Sequence, residues 1–153
     1  MVESDNIDKY DFGLINITGS QALQSMTTLI RNTDSINYPQ LIIKGGIRIT
    51  SYGAHVCKSG WRSHVTCGYI RGFNTISTKG DDIISKHLIF YGKDTYQIAC
   101  SGDSGGPVFS YLQNLKTVGL SGIHSGHHYD FFEFVPLDII LNKGELELVK
   151  NSQ

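Results

Sequence analysis

The chain has 153 residues, 40% of them apolar and 10% aromatic, which is the composition of one globular domain and favours neither a disordered nor a multidomain chain. Thirteen basic and 14 acidic side chains give a net charge of −1, so no excess positive charge is available for nucleic acid. Polar side chains interrupt the longest uncharged stretch, residues 12–30, and we therefore expect no membrane span.

The predicted elements are mainly short strands joined by Gly-rich turns. Residues 11–18 form a short β-like run, and residues 19–37 form a polar connection that we interpret as a linker. The β-rich segments that follow are separated by Gly, Ser, Asn or Asp and span residues 47–57, 64–73, 87–91, 96–99, 107–112, 117–124 and 129–135. A final helix is predicted from Leu137 to Leu141, introduced by Pro136 and stopped by Gly144. This pattern predicts an all-β antiparallel sandwich or barrel.

The three cysteines indicate an oxidising compartment. Cys57 and Cys67 lie ten positions apart with Gly60 between them, which is typical of a hairpin closed by a disulfide, and Cys100 is left over. We therefore expect a secreted or extracellular protein. Residues 1–6 show neither the basic nor the apolar region of a signal peptide, so we expect that a preceding segment is missing.

The hexapeptide Gly-Asp-Ser-Gly-Gly-Pro at residues 102–107 is the strongest functional signal. A serine hydroxyl becomes an effective nucleophile when backbone N–H groups polarise the carbonyl that it attacks. Gly102 is able to adopt the φ angle that turns its N–H toward a substrate, and Ser104 supplies a second N–H. These residue types therefore indicate nucleophilic catalysis at Ser104.

At this hexapeptide the sequence resembles the chymotrypsin-like serine proteases, in which the segment carries the nucleophile. Residues 11–15 resemble the family segment that holds the catalytic aspartate at the end of the first barrel. Residues 56–60 and 66–68 are similar to the disulfide hairpin of the bacterial streptogrisin-type branch, with nine residues between the cysteines. Residues 118–126 and 131–136 resemble its substrate-binding and closing strands, so the likeness covers most of residues 8–142.

The resemblance assigns expected roles to individual residues. Ser104 is the nucleophile, the N–H groups of Gly102 and Ser104 form the oxyanion hole, and Asp11 orients the general base. Asp8 is the competing carboxylate, but no apolar run follows it. Asp103 needs a cationic partner if it is buried, and Lys58 stands where the bacterial branch has an arginine. A solvated Lys58 is the alternative.

The histidines depart from the family order, in which the base precedes the aspartate. None lies before Asp11, and all six come later, at positions 55, 64, 87, 124, 127 and 128. His127 and His128 follow the substrate strand and are candidates for peptide contacts. Two adjacent histidines are only weak evidence for a metal site, so we predict neither metal nor cofactor. The usual partner of Cys100 is absent, which predicts a buried thiol.

The expected primary specificity pocket is apolar. By the resemblance, Ile98, six residues before the nucleophile, lies at its base with Ala99 beside it, which disfavours a basic substrate side chain. Ser125 and Gly126 are expected to bind the substrate backbone as an added strand. Residues 120–122 are an alternative register for that strand.

We therefore expect an all-β fold that comprises a chymotrypsin-like antiparallel barrel, the last strand of a preceding barrel and a short C-terminal helix. The expected boundaries are 1–20 for the end of the first barrel, 21–45 for a linker, 46–142 for the C-terminal barrel and 143–153 for a tail. The expected function is that of a serine endopeptidase without its base histidine. The expected partners are a protein or peptide substrate and the missing N-terminal half. The alternative is an inactive protease-like module that binds peptides.

Overall fold

The computed structural model describes residues 10–19, 26–79, 82–92, 98–128 and 131–150, with the backbone alone described at 77, 79, 82–87 and 127–128. Eight strands and one helix follow one another in these ranges. They are β1 (Leu29–Arg31), β2 (Gln40–Gly46), β3 (His55–Gly60), β4 (His64–Lys79), β5 (Asp82–Gly92), β6 (Pro107–Tyr111), β7 (Thr117–His128), β8 (Phe131–Pro136) and α1 (Leu137–Gly144). Among the described residues, no helix has the length and apolar character needed to cross a membrane.

Six of the strands form a closed antiparallel barrel, which confirms the predicted fold class. The order is β7-β6-β3-β4-β5-β8, and β8 pairs back onto β7 to close the circle. Strands β1 and β2 form a hairpin outside the barrel, and β2 pairs in parallel with the first residues of β7. Strand β7 therefore contacts three strands, and its last residues extend beyond β2.

Alternating apolar side chains fill the barrel. The largest cluster contains Val56, Ile70, Ile98, Phe132 and Phe134, among others. A second cluster joins the β1–β2 hairpin to one end of the barrel. A third lies beneath the C-terminal helix. Because successive strand residues face opposite sides, β8 contributes to the interior and to the helix interface at once.

The first described residues of the chain, from Tyr10 onward, pack against the third cluster. Tyr10 and Phe12 contact this cluster, to which α1 contributes Ile140. Lys143 lies over the ring of Tyr10, with Nζ 5.6 Å from the ring centroid. The C-terminal helix therefore anchors the segment that contains Asp11.

Several predicted strands differ from the structure. Residues 11–18 have no regular secondary structure, because no described strand pairs with them. Residues 47–54 turn at Gly53, where φ is +72°, and the strand begins only at His55. The predicted linker 21–45 contains β1 and all of β2 except its last residue, Gly46. The predicted break after Phe73 is a bulged position in β4, where Asn74 has a φ of +52°.

Candidate active site

The loop that carries Ser104 lies at the start of β6 and is held by backbone hydrogen bonds. Asp103 N–H donates to Cys100 O at 3.0 Å, and Gly106 N–H donates to Asp103 O at 3.0 Å. Gly105 N–H donates to His124 O at 2.8 Å, which ties the loop to β7. Ser104 itself is exposed at the tip. The fold therefore presents the hydroxyl of Ser104 on a braced turn.

Within the segment 102–106, two backbone N–H groups have no acceptor among the described residues. They belong to Gly102 and Ser104, whereas the N–H groups of Asp103, Gly105 and Gly106 are all bonded. Gly102 has a φ of +99°, which favours glycine. Exposed donors beside a serine hydroxyl are the groups that stabilise an oxyanion when a carbonyl is attacked.

Asp103 forms a buried ion pair below the loop. Lys58 Nζ lies 3.1 Å from Asp103 Oδ2, and both side chains are 0% exposed. The Arg62 and Ser63 N–H groups donate to Asp103 Oδ1 at 2.8 and 3.1 Å, and the Cys100 N–H donates to Oδ2 at 2.8 Å. The structure thus brings Lys58 to Asp103 and does not leave it solvated.

Burial acts on both members of this pair. It would raise the pKa of Asp103, but hydrogen bonds from Ser63, Cys100 and Arg62 hold that pKa well below its usual range. Burial lowers the pKa of Lys58, and the hydrogen bond and charge of Asp103 oppose that effect. Asp103 is therefore a carboxylate at neutral pH.

Two glycines leave room for this arrangement. A Cβ on Gly60 would lie 2.2 Å from Asp103 Oδ1, and a Cβ on Gly106 would lie 2.4 Å from Ser59 O. Real side chains do not approach this closely, so both positions require glycine for steric reasons. The β3–β4 hairpin therefore approaches the loop this closely only because residue 60 is a glycine.

The disulfide joins the two strands of the β3–β4 hairpin. Cys57 and Cys67 are bonded and directly opposite each other, as predicted. Cys100 is a free thiol, as predicted, but it is exposed, so the prediction of a buried thiol is wrong. Its position explains the exposure, because its backbone takes part in the nucleophile loop and leaves the side chain outside the core.

The residues predicted to line the specificity pocket lie in the barrel interior. Ile98 and Ala99 are 2% and 3% exposed and belong to the largest cluster. His124 is also buried, and it contacts two aromatic residues of the same cluster. Its Nδ1 is 3.1 Å from the Tyr91 hydroxyl, and its ring contacts those of Tyr91 and Phe132. Burial raises the pKa of Tyr91, which keeps its hydroxyl protonated.

Sequence reasoning did not place His124 in the barrel interior. The available signal was its position next to Ser125 in the predicted substrate strand, where alternate residues face the barrel interior.

The expected substrate strand has one open edge. Gly126 pairs with Glu133 of β8 on one side, and no described strand pairs with the other side of residues 125–128. Leu120 is paired with both β2 and β6, and Gly122 is paired with both β6 and β8. The alternative register at 120–122 therefore has no edge at these positions for a peptide, whereas Ser125 and Gly126 do.

Asp11 is not joined to the nucleophile in the described part of the chain. It is exposed, and it forms no hydrogen bond or ion pair with any described residue. Three histidines have described side chains, and each has a different neighbour. His55 contacts Tyr69, His64 pairs with Asp34, and His124 contacts Tyr91. The side chains of the other three histidines lie outside the described residues.

One group of metal-binding residue types occurs among the described residues, namely His55, Cys57 and Cys67. The two cysteine sulfurs are bonded to each other, so they are not available as thiolate ligands.

Comparisons with known proteins agree with this geometry. A family model described as Trypsin matches residues 1–131. Serine protease 1 of Rarobacter faecitabidus is 30% identical over 116 residues, which is 71% of this chain and 20% of that protein. The chain thus spans about a fifth of the length of this curated relative.

Solved structures show the same fold. Protease A of Thermobifida fusca gives a TM-score of 0.64 at 25% identity, covering 82% of this chain and 62% of that one. Cellulomonas bogoriensis chymotrypsin gives 0.63 at 22% identity, covering 81% and 62%. A glutamic acid specific serine protease, described as using a histidine triad in substrate binding, gives 0.53 at 24% identity, covering 72% and 55%.

Proposed function

We propose that this chain, which belongs to the trypsin family, carries the nucleophile and oxyanion donors of a serine endopeptidase. The observation that carries the proposal is the pair of unbonded N–H groups at Gly102 and Ser104, in the segment 102–106, where the N–H groups of Asp103, Gly105 and Gly106 are bonded. They lie beside the exposed Ser104 hydroxyl.

In the proposed reaction, Ser104 Oγ attacks the peptide carbonyl and transfers its proton to an imidazole base. The two N–H groups stabilise the oxyanion of the tetrahedral intermediate. The C–N bond then breaks as the imidazolium returns the proton to the departing amine. Water hydrolyses the resulting acyl-enzyme by the same steps. Asp11 orients the base and stabilises its cation.

We infer that the base comes from a part of the protein outside this chain. The three described histidine side chains contact Tyr69, Asp34 and Tyr91, which supports this inference. Apolar residues close to Asp11 also support a covering segment, because Leu14 is 50% and Ile15 is 88% exposed. The disulfide supports a secreted location.

Active-site labelling with an organophosphonate tests this proposal, because the reagent phosphonylates serine, with loss of its leaving group, only when base and oxyanion hole are assembled. We expect no labelling of residues 1–153 alone, and labelling at Ser104 when the preceding histidine-containing part is supplied. Ser104→Ala is the control. Rapid labelling of the isolated chain would show that one of its six histidines is the base. If neither form is labelled but both bind peptides, the inactive binding module is the correct function.

Two preferences for the acyl-side residue are open to test. Ile98 and Ala99 give the proposed specificity pocket an apolar surface without a carboxylate, which favours an apolar or aromatic substrate side chain. His124, which is also buried in the barrel interior, favours an acidic side chain, and the glutamic acid specific structure supports this second candidate.

Peptide-library cleavage by the complete form separates these preferences. Cleavage after Phe or Leu supports the first. Cleavage after Glu that His124→Phe abolishes, while cleavage after Phe persists, supports the second. A preference for Arg or Lys would show that the pocket is misplaced.

A further inference from the structure

The turn between β3 and β4 lies directly beside the proposed oxyanion hole. The backbone N–H groups of Arg62 and Ser63 are bonded to Asp103, which fixes the turn to the nucleophile loop. A Cβ built on Gly102 would lie 3.5 Å from Arg62 Cδ and 3.7 Å from Cγ. The stem of Arg62 therefore lies where a side chain at position 102 would touch it, next to the residue that contributes one oxyanion donor.

The sheet order places this turn on the leaving-group side of Ser104. Strand β6, which the nucleophile loop enters, lies between β7 and β3. The loop contacts β7 through the bond from Gly105 to His124, and the β3–β4 turn through Asp103. The acyl side of a substrate is expected to bind along Ser125 and Gly126 of β7. The residues after the cleaved bond then leave toward the β3–β4 turn.

This turn presents a basic and aromatic surface. Trp61 is 75% exposed, and the guanidinium carbon of Arg31 lies 5.3 Å from its ring centroid. Arg31 Nη2 also donates to the carbonyl oxygens of Gly60 and Trp61 at 3.2 and 3.1 Å, so the indole sits beside a fixed cation. An exposed Trp beside arginines is typical of a binding surface.

The nearby carboxylates are engaged elsewhere. Asp103 is paired with Lys58, and Asp34 is bonded to His64 Nδ1 at 2.7 Å. The Arg62 guanidinium is exposed and forms no hydrogen bond or ion pair with any described residue. Among the described residues the local charge is therefore positive, and the Arg62 guanidinium has no carboxylate partner there.

We propose that Arg62 and Trp61 form a subsite for an acidic side chain one or two residues after the cleaved bond, an inference that rests on the proposed function. Arg62 pairs with the carboxylate of Asp or Glu through its planar fork, and the Trp61 ring covers the aliphatic stem. The subsite thereby selects substrates with an acidic residue on the leaving-group side.

Trp61 gives a direct readout, because it is the only tryptophan in the chain. The probe is a short peptide with a free amino terminus and an amidated carboxyl terminus, of sequence Ala-Glu-Ala-Ala. Its counterpart has Gln in place of Glu. We expect the Glu peptide to change Trp61 fluorescence with about tenfold higher affinity than the Gln peptide, as for a hydrogen bond to a charged group. Added salt should reduce the difference.

Variants assign the effect to Arg62. Arg62→Gln should abolish the preference for Glu, and Arg62→Glu should favour the peptide with Lys at the same position. Arg48→Gln, which changes an exposed arginine paired with Asp138, should leave the preference unchanged. Urea unfolding of each variant verifies the fold. Equal binding of the Glu and Gln peptides, or a preference that persists in Arg62→Gln, would overturn the subsite.

The titration is independent of catalysis, so the two proposals fail separately. Ser104→Ala should keep the preference for the Glu peptide. If Ser104 is labelled but the peptides bind equally, only the subsite is wrong. If the Glu peptide is preferred but Ser104 is never labelled, the surface binds acidic peptides and the proposed peptidase function is wrong.

Discussion

Replacing Lys58 by Met removes the cation that faces the buried carboxylate of Asp103 and keeps an apolar stem of similar length. Lys58 Nζ is 3.1 Å from Asp103 Oδ2 and donates to His64 O at 3.2 Å, and it also bonds the Ser63 hydroxyl. All of these bonds are lost in Lys58→Met. Breaking a buried ion pair by removing one partner costs about 3–5 kcal/mol.

We expect a loss near the lower end, about 3 kcal/mol, because Asp103 keeps its bonds from Arg62, Ser63 and Cys100. Urea unfolding followed by Trp61 fluorescence measures the free energy of unfolding. Arg48→Met is the matched control. Its partner Asp138 is 3.4 Å away, but the two side chains are 78% and 43% exposed, so we expect a loss of about 0.5 kcal/mol.

Acidification gives a second test of the same reasoning. Without Lys58, the folded-state pKa of Asp103 rises, and the carboxyl group becomes neutral at a higher pH than in the original chain. The stability deficit of Lys58→Met should therefore shrink as the pH falls from about 7 to about 3, through the usual range of Asp. A deficit below about 1 kcal/mol at neutral pH, or one that grows on acidification, would refute the buried ion pair as the origin.

Other measurements probe the same region. Denatured, unreduced protein should contain one reactive thiol, that of Cys100, and reducing the disulfide should cost about 3 kcal/mol; three reactive thiols would contradict the disulfide. Gly60→Ala should lower stability by about 2–3 kcal/mol, because its Cβ would overlap Asp103, whereas Gly45→Ala, with open space at Cβ, should change it little, and equal losses would contradict this packing. In the original chain the depressed pKa of Asp103 stabilises the fold above the unfolded-state pKa, so stability should fall below about pH 4. Asp103→Asn should remove part of that fall. An acid profile that the substitution leaves unchanged would contradict the assignment.

The barrel could be predicted from the sequence where strand patterns are regular and turn signals are clear. The segments at 107–112 and 117–124 correspond to β6 and the first part of β7. The short strand β1 was not predicted, because only Ile30 of its three residues is buried. The length of β4 was underestimated because Asn74, usually a turn residue, lies in a bulge that the long β4–β5 pairing accommodates.

The same distinction applies to the candidate site, where local sequence patterns predict some features and tertiary packing determines others. Oxyanion chemistry restricts the residue types, so Gly102 and Ser104 could be predicted from the hexapeptide, and their role stays a prediction. The exposure of Cys100 depends on how one loop leaves the core, and no local pattern encodes that path. The contact between His124 and Tyr91 joins residues 33 positions apart, and the proximity of Arg62 to Gly102 likewise arises from tertiary packing.

The triple pairing of β7 also has a consequence for the order of folding. This strand pairs with β2, β6 and β8, so the hairpin at one end of the chain and the closure of the barrel both depend on residues 117–128. During synthesis, β3, β4 and β5 emerge before the strands that complete their sheet. Contacts of such long sequence separation form slowly, and incomplete chains expose strand edges that pair readily with other chains. A polypeptide arrested before β8 therefore has a sheet with two unpaired edges, and we expect these edges to pair with another chain.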